Sequence, residues 1–399
     1  MRNRWILPAL LGCIVSCGEP GEAPPASYDL VLELVTDTVF VVGDTPFNEG
    51  DHYFGRVVSL GFDQRGRLHV FDPDRFEITT WDERGRLVSR FGNKGEGPHE
   101  FKVPRYAHIL RDGTVLVLDI GHARLLVYGP GGRFERGVRL PTQNAVPGSG
   151  AVLAADRLVG EDDYWLRRPV EAGELFSYQF GADSVVAEPF YQAWAPAPEL
   201  GGVAMVPEVR IAPFSDGRVA LADNEEYRLR ILSRAGELVH TIGRPVGPPP
   251  VTDMVMDAER ERRKAKYRER DLARGLREMG AVTGFAMPDV DMSSVLEEYH
   301  AGLADLEFAD DIPVIHTVQV DWNDQLWITR SGATGEEGPI DLMSADGRYE
   351  GTLYRTQKPD AFGPNGLLAY VDYHELGPQS VVVVRITAIA PAVDQPMTP

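Results

Sequence analysis

"DGTVLVLDIGHARLLVYGPGGRF", Asp112–Phe134, decides the fold of this chain, because its outline recurs. Gly113 opens it, Asp119 stands six residues on, and Gly132 thirteen further. "RGRLHVFDPDRFEITTWDERGRL" (Arg65–Leu87) places Gly66, Asp72 and Gly85 at the same intervals. "DGRVALADNEEYRLRILSRAGEL" (Asp216–Leu238) does so with Gly217, Asp223 and Gly236. Three unrelated segments would rarely agree in both spacings, so the chain is read as a repeat array. Looser copies run over Asn323–Tyr349 and Asn365–Ile386, and a degenerate one over Ala151–Pro189.

Within each unit apolar and polar residues alternate, as in "LHVFD", "VLVLD", "RLLVY" and "LRILS". Period two marks half-buried antiparallel strands. Asp-Gly and Arg-Gly pairs lie between them, where a tight turn needs a positive φ. A four-stranded unit cannot bury both faces alone. Stacked radially, such units share a core and leave only short edges.

"FGNKGEGPHEFKVP" (Phe91–Pro104) has three glycines around a lysine and looks at first like a phosphate cradle. A Walker loop needs Gly-Lys-Ser/Thr before a helix. Here Gly95 follows the lysine and strands lie on both sides. The stretch reads as a connector between units, with Phe101 packing down and Pro104 opening the next inner strand.

"GNKGEGPHEFKVPRYAHILRDGTVLVLDIGHARLLVYGPGGRF" resembles an NHL-type β-propeller repeat. It has a Gly-rich connector, a Phe-x-x-Pro step, an inner strand, Asp-Gly, a second strand ending in Asp, and an Arg-led third strand. From about Leu30 to Ile386 the chain is similar to bacterial six-bladed β-propeller lipoproteins. That resemblance implies an all-β fold, a six-bladed β-propeller of four-stranded antiparallel blades spanning 28–391. Blades are expected at about Phe54–Gly92, Phe101–Pro141, Asn144–Tyr191, Val203–Arg244, Ile312–Thr356 and Ala361–Ile386. The strand-like Leu30–Asp44 is expected to pair with "SVVVVRI" (Ser380–Ile386), completing blade six and closing the ring.

Between blades four and five the strand pattern stops at "GPPP", and an α-helical insertion over about 248–310 follows. It reads as a long helix, Asp253–Gly280, and a second, Ser294–Leu306. From Asp257 to Glu278 there are nine Lys/Arg and six Asp/Glu, in a chain of net charge −20. Such a helix is either a solvated face laced by i,i+4 pairs or a lid over one face of the ring. In the second case Met254, Met256, Leu272, Leu276 and Met279 form its apolar side.

The chain of 399 residues, 43% hydrophobic, can bury a sizeable core. Its acidity argues against nucleic acid, which needs a basic surface. The first 17 residues read as a secretory signal, basic in "MRNR" and apolar in "WILPALLGCIV". "IVSC" resembles the bacterial lipobox, which implies lipidation of Cys17; "LLGC", ending at Cys13, would leave a very short signal. Residues 18–27, rich in Pro, Gly and Glu, read as a flexible tether, and 392–399 as a disordered tail. The expected location is the cell envelope, across the inner membrane, periplasmic or at the outer membrane. The membrane would be met through the lipid alone.

Aligned on their turn glycines, the inner strands place Arg56, Arg105 and His316 at near-equivalent positions. Arg210 is one residue off and Lys358 precedes blade six. They form either a basic ring at the channel mouth for an anionic ligand or a set of pairs with neighbouring carboxylates, Glu208 beside Arg210 being an obvious one. Asp72, Asp119 and Asp223 recur in every clear copy, which suits a structural role in turns. The nine histidines form neither His-x-His nor His-Glu-x-x-His. The resemblance includes lyases with zinc held by histidines from separate blades and calcium-dependent hydrolases; His108 and His316, on inner strands, are then the metal candidates. Trp165, Trp194, Trp322 and Trp327 read as packing residues. With no Gly-x-Ser-x-Gly elbow, the function read is a non-enzymatic binding module for a peptide, protein or glycan, with no cofactor. The alternative is a metal-dependent hydrolase or lyase at the central channel, with zinc or calcium as the ion.

Overall fold

The computed structural model describes residues 29–43, 53–140, 151–154, 157–161, 173–194, 202–266, 269–283, 291–373 and 379–392. The signal segment, Cys13, Cys17, the tether, His52, Trp165, His374 and residues 393–399 lie outside the described residues.

A first strand, β1 (Val31–Val42), precedes four four-stranded antiparallel sheets. The first sheet holds β2 (Ser59–Phe62), β3 (Leu68–Asp72), β4 (Glu77–Trp81) and β5 (Leu87–Phe91). The second holds β6 (Pro104–Ile109), β7 (Val115–Asp119), β8 (Arg124–Gly129) and β9 (Arg133–Arg139). The third holds β10 (Ala151–Ala154), β11 (Arg157–Glu161), β12 (Glu174–Phe180) and β13 (Val185–Gln192). The fourth holds β14 (Arg210–Pro213), β15 (Val219–Ala222), β16 (Arg228–Leu232) and β17 (Leu238–Gly243). The remaining strands are β18 (Ile315–Val320), β19 (Leu326–Ser331), β20 (Glu337–Met343), β21 (Tyr349–Leu353), β22 (Ala361–Phe362), β23 (Leu367–Tyr373) and β24 (Gln379–Pro391).

Apolar layers fill the spaces between successive sheets. Phe71 and Ile78 pack on Phe101, Leu126 and Tyr128; Leu116 and Leu125 pack on Leu158 and Tyr178. Val159 and Leu175 meet Val219 and Leu232, and Leu229 and Ile231 meet Val318 and Ile328. Phe62, Leu68 and Val70 meet Val371, Val381 and Val383, which returns the last strands to the first sheet. Each fully buried Leu, Val or Phe contributes about 1.5–3 kcal/mol relative to exposure. Sheets wedged around an axis in this way form a β-propeller.

The expectation of six separate four-stranded blades is corrected. The structure has four such blades and one eight-stranded sheet, in the order β18-β19-β20-β21-β1-β24-β23-β22. The predicted pairing of the early strand with the last one is present, antiparallel from Leu32↔Pro391 to Val42↔Val381. But β1 also pairs in parallel with β21, at Val31↔Thr352 and Leu32↔Leu353, which fuses what the repeat presents as two units. Two local features draw β1 onto that edge. Gly351, at φ +148°, has no side chain to hold Leu32 away; an added Cβ would lie 2.5 Å from its Cδ1. Ahead of β1, Asp29 is held by Arg244 (2.8 Å) and Arg330 (2.6 Å). The sheet bends, so that Trp327, Ile340 and Leu342 of one half face Leu368 and Val384 of the other.

The recurrent aspartates clamp connectors to strand ends. Asp72 accepts from the backbone N–H groups of Gly55, Arg56, Asp74 and Arg75. Asp119 accepts from those of Lys102, Val103, Gly121 and His122. Asp223 accepts from that of Trp194 and pairs with Arg230. Loop Phe91–Pro104 is closed on itself: Glu100 accepts from Gly97 N and Asn93 Nδ2, at 2.7 and 2.9 Å. A carboxylate of the chain thus takes the loop's donors. Phe101 is fully buried, as expected of a connector. Trp327 is buried and Trp322 packs against the core under the Arg111 guanidinium, whereas Trp194 is largely exposed.

The insertion forms α1 (Asp253–Lys266), α2 (Glu269–Thr283) and α3 (Met292–Gly302), the last capped by Asp291 and followed by a turn, Leu303–Asp305. Its two stems zip together: Val251 N donates to Asp310 O and Ile312 N to Pro249 O, both at 2.8 Å.

Candidate functional site

The antiparallel registers Pro104↔Asp119, Arg210↔Ala222 and Ile315↔Arg330 put the starts of the inner strands on the face where their neighbours end. Arg56, Arg105, Arg210, His316 and Lys358 therefore share one face of the propeller. Each of the four permanent cations there has a carboxylate beside it. Arg56 Nε lies 2.9 Å from Asp74, Arg105 3.1 Å from Glu278, Arg210 2.7 Å from Glu208 and Lys358 3.5 Å from Glu337.

The residues fall into two groups. In one, Arg210 Nε donates to the His316 carbonyl at 2.9 Å, which links the fourth sheet to β18. Burial lowers the His316 pKa; Glu337 and Glu208 oppose the shift, while Arg210 and Lys358 add to it. Asp360 lies near Lys358 and Glu337, its pKa raised by burial although Val371 N donates to it at 2.7 Å. Burial, with the Asp360 charge, pushes Tyr370 up to about 12. On β18, Thr317 Oγ1 and Gln319 Oε1 are hidden from water without a hydrogen-bond partner among the described residues.

In the other group, Arg105 and Arg56 both face Glu278 of α2, at 3.1 and 4.0 Å, and Arg274 of α2 reaches Asp74 at 3.3 Å. At the opposite side of the face, Arg262 of α1 donates to Thr334 O in the β19–β20 turn. The helices thus reach from the eight-stranded sheet to the first and second sheets, across the inner-strand face. These contacts are polar, while Met256, Leu272 and Leu276, expected on an apolar side, are half-buried. Val255 is the one buried side chain described in α1, and α3 has none; Met254, expected on an apolar side, is 71% exposed. Much of the charge in α1 is satisfied within it, by Glu259 with Arg262 and Arg263 and by Glu261 with Lys264.

His108 lies deeper, opposite Leu116 on β6, and burial pushes its pKa down to about 4. It does not join His316 in a ligand set: among the described residues no three His, Cys, Asp or Glu side chains converge as a metal ion requires. Glu278, Asp74, Arg274, Glu337 and Asp360 were not legible in the sequence, because each gains its role from a partner on another element. Cys17 lies outside the described residues.

Compared with protein families and with curated proteins, the sequence matches none. Among solved structures it is similar to a member of the DUF4221 family from Bacteroides vulgatus, at 10% identity and TM-score 0.50, covering 92% of this chain and 100% of that one. It is also similar to virginiamycin B lyase from Staphylococcus aureus, at 11% identity and TM-score 0.39, covering 85% and 82%. A third is regucalcin, a calcium-binding protein from Agrobacterium tumefaciens, at 11% identity and TM-score 0.41, covering 93% and 99%. At such identities the likeness speaks to the fold alone. Among the described residues no helix is long and apolar enough to cross a membrane.

Proposed function

We propose that this protein is a lipid-anchored cell-envelope β-propeller of the NHL-like kind, held by Cys17 through the tether that follows it. It binds a peptide, protein or glycan, without converting it, on the face where the inner strands begin. One observation carries this reading: a helical insertion lies across that face and meets it through Arg262, Arg274 and Glu278. A cover held by partly exposed charges can exchange with a ligand. The stems of the insertion meet at Val251 and Asp310, and beside them Ala204 donates to Glu307 O and accepts from Ala309 N, which ties the end of the insertion to the segment ahead of the fourth sheet.

The test is to replace Asp253–Leu306 with a short Gly/Ser linker and compare the two proteins for partners retained from envelope extracts. The expected result is an unchanged thermal transition and loss of a partner that the complete protein retains. Elemental mass spectrometry on the same samples, purified without chelators, separates the alternative. One equivalent of zinc or calcium per chain, with hydrolase or lyase turnover, would overturn the binding reading.

A further inference from the structure

Arg56 and Arg105 precede or begin the inner strands of successive sheets, at equivalent places in the repeat. Both turn toward one carboxylate. Arg105 Nη1 stands 3.1 Å from Glu278 Oε2, and Arg56 Nη2 stands 4.0 Å from Oε1. That carboxylate comes from neither sheet but from α2, 173 residues along the chain from Arg105. Arg56 is fixed from its other side by Asp74, which Arg274 of the same helix also meets.

The guanidinium fork matches a carboxylate in shape and charge. Two forks, one in the connector before β2 and one on β6, facing one carboxylate at the mouth of a ring, make a clamp for that group. The group now in the clamp is held weakly. The Arg56, Arg105 and Glu278 side chains are 26–36% exposed, and each such pair shifts a population only about two- to fivefold. Around it, Asp257–Glu278 carries three more basic than acidic residues, in a chain of net charge −20. An acidic segment meets less repulsion beside such a stretch than the net charge of the chain alone implies.

We propose that Glu278 is an internal stand-in for a ligand carboxylate. The Arg56–Arg105 clamp takes an acidic side chain or C-terminus of a peptide, and α2 competes for the same place, holding the site closed until such a peptide arrives. This rests on reading the covered face as the binding face, and it adds the ligand's chemistry and an autoinhibitory contact.

The test uses the full chain in detergent and a fluorescently labelled hexaglutamate peptide, with hexaglutamine as the neutral control, read by anisotropy at low and high salt. Glu278→Gln keeps the side chain's shape and removes the competing charge. Hexaglutamate should then bind about three- to thirtyfold more tightly, from the loss of two partly exposed pairs, and hexaglutamine should not. Adding Arg56→Gln and Arg105→Gln should abolish the gain. In the unaltered protein, saturating hexaglutamate should speed hydrogen exchange in 269–283. Glu278→Ala, checked by its thermal transition, provides a second variant of the same sign. An affinity unchanged or weaker in Glu278→Gln, or a gain that survives loss of both arginines, would overturn the proposal. So would failure of every variant to bind hexaglutamate; partner retention by the intact face would then still stand, so the two readings fail separately.

Discussion

Two charge networks tie distant parts of this chain together, and water reaches them differently. The first joins Arg244 to Asp341 and Asp29, both at 2.8 Å, and Asp29 to Arg330 at 2.6 Å. Thr352 Oγ1 donates to Asp341 at 2.6 Å, and the Arg244 guanidinium lies 3.8 Å from the centre of the Tyr349 ring. Arg244 is 2% exposed and Asp341 not at all. The second network joins Arg105, Glu278, Arg56, Asp74 and Arg274, all partly exposed. The first sits where the fourth sheet, the eight-stranded sheet and the start of β1 meet. There Arg244 and Asp341 are desolvated and must keep a partner, and Asp29 and Arg330 are mostly covered. The second joins the ring to a cover, and each of its charges has water as an alternative partner. The same residue types thus cement one junction and latch another, and burial decides which.

That contrast can be broken at several points. The largest effect is expected from Arg244→Ala, which leaves the buried Asp341 with Arg330 at 3.5 Å and the Thr352 hydroxyl; loss of one partner of a buried pair costs about 3–5 kcal/mol. Denaturant unfolding should show a fall of that size. A change within about 0.5 kcal/mol would mean the junction is not cemented by this pair. Gly351→Ala comes next. It forces a side chain into a φ of +148° and against Leu32, for about 1–3 kcal/mol. If β1 were not seated on β21, the substitution would be silent in thermal melting.

Acid should act on the first network through Asp29. Burial alone would raise its pKa, but hydrogen bonds from Tyr354, Arg330 and Arg244 outweigh this and lower it to about 2 from the usual 3.8. A depressed carboxylate contributes stability that is present above the unfolded pKa and lost as pH falls through the folded one. Stability should therefore decline between about pH 4 and pH 2. Asp29→Asn should be less stable at neutral pH and show a shallower decline in that window; an identical acid profile would remove Asp29 from the account. The smallest effect is expected from Glu278→Gln, whose pairs are partly exposed and together worth about 2 kcal/mol or less. A loss as large as that of Arg244→Ala would erase the distinction between the two networks.

The repeat spacing made the strand units legible, since Gly66, Gly113 and Gly217 mark turns at φ +74°, +89° and +87°. It also located Arg56, Arg105, Arg210 and His316 on one face, because equivalent places in a repeat share a face. What the repeat could not carry is pairing between copies. The parallel contact of β1 with β21 depends on one glycine and on Asp29, neither of which has a counterpart in the other units. The role of Glu278 was hidden for the same reason: alternating charges along a helix read as a solvated surface, and nothing local shows two arginines waiting across the ring. The helix expected over Asp253–Gly280 is described on both sides of residues 267–268, which lie outside the described residues.

The most direct test of the central claim, that the helical insertion is a separable cover on a closed ring, is hydrogen exchange resolved along the complete chain. Local openings exchange amides at free energies well below global unfolding. The account predicts that the α1 and α2 amides exchange through low-energy openings while β1, β21 and β24 exchange only with global unfolding. If 269–283 were as protected as β24, and lost protection with it in one cooperative step, the helices would be part of the ring's core and the cover would not exist.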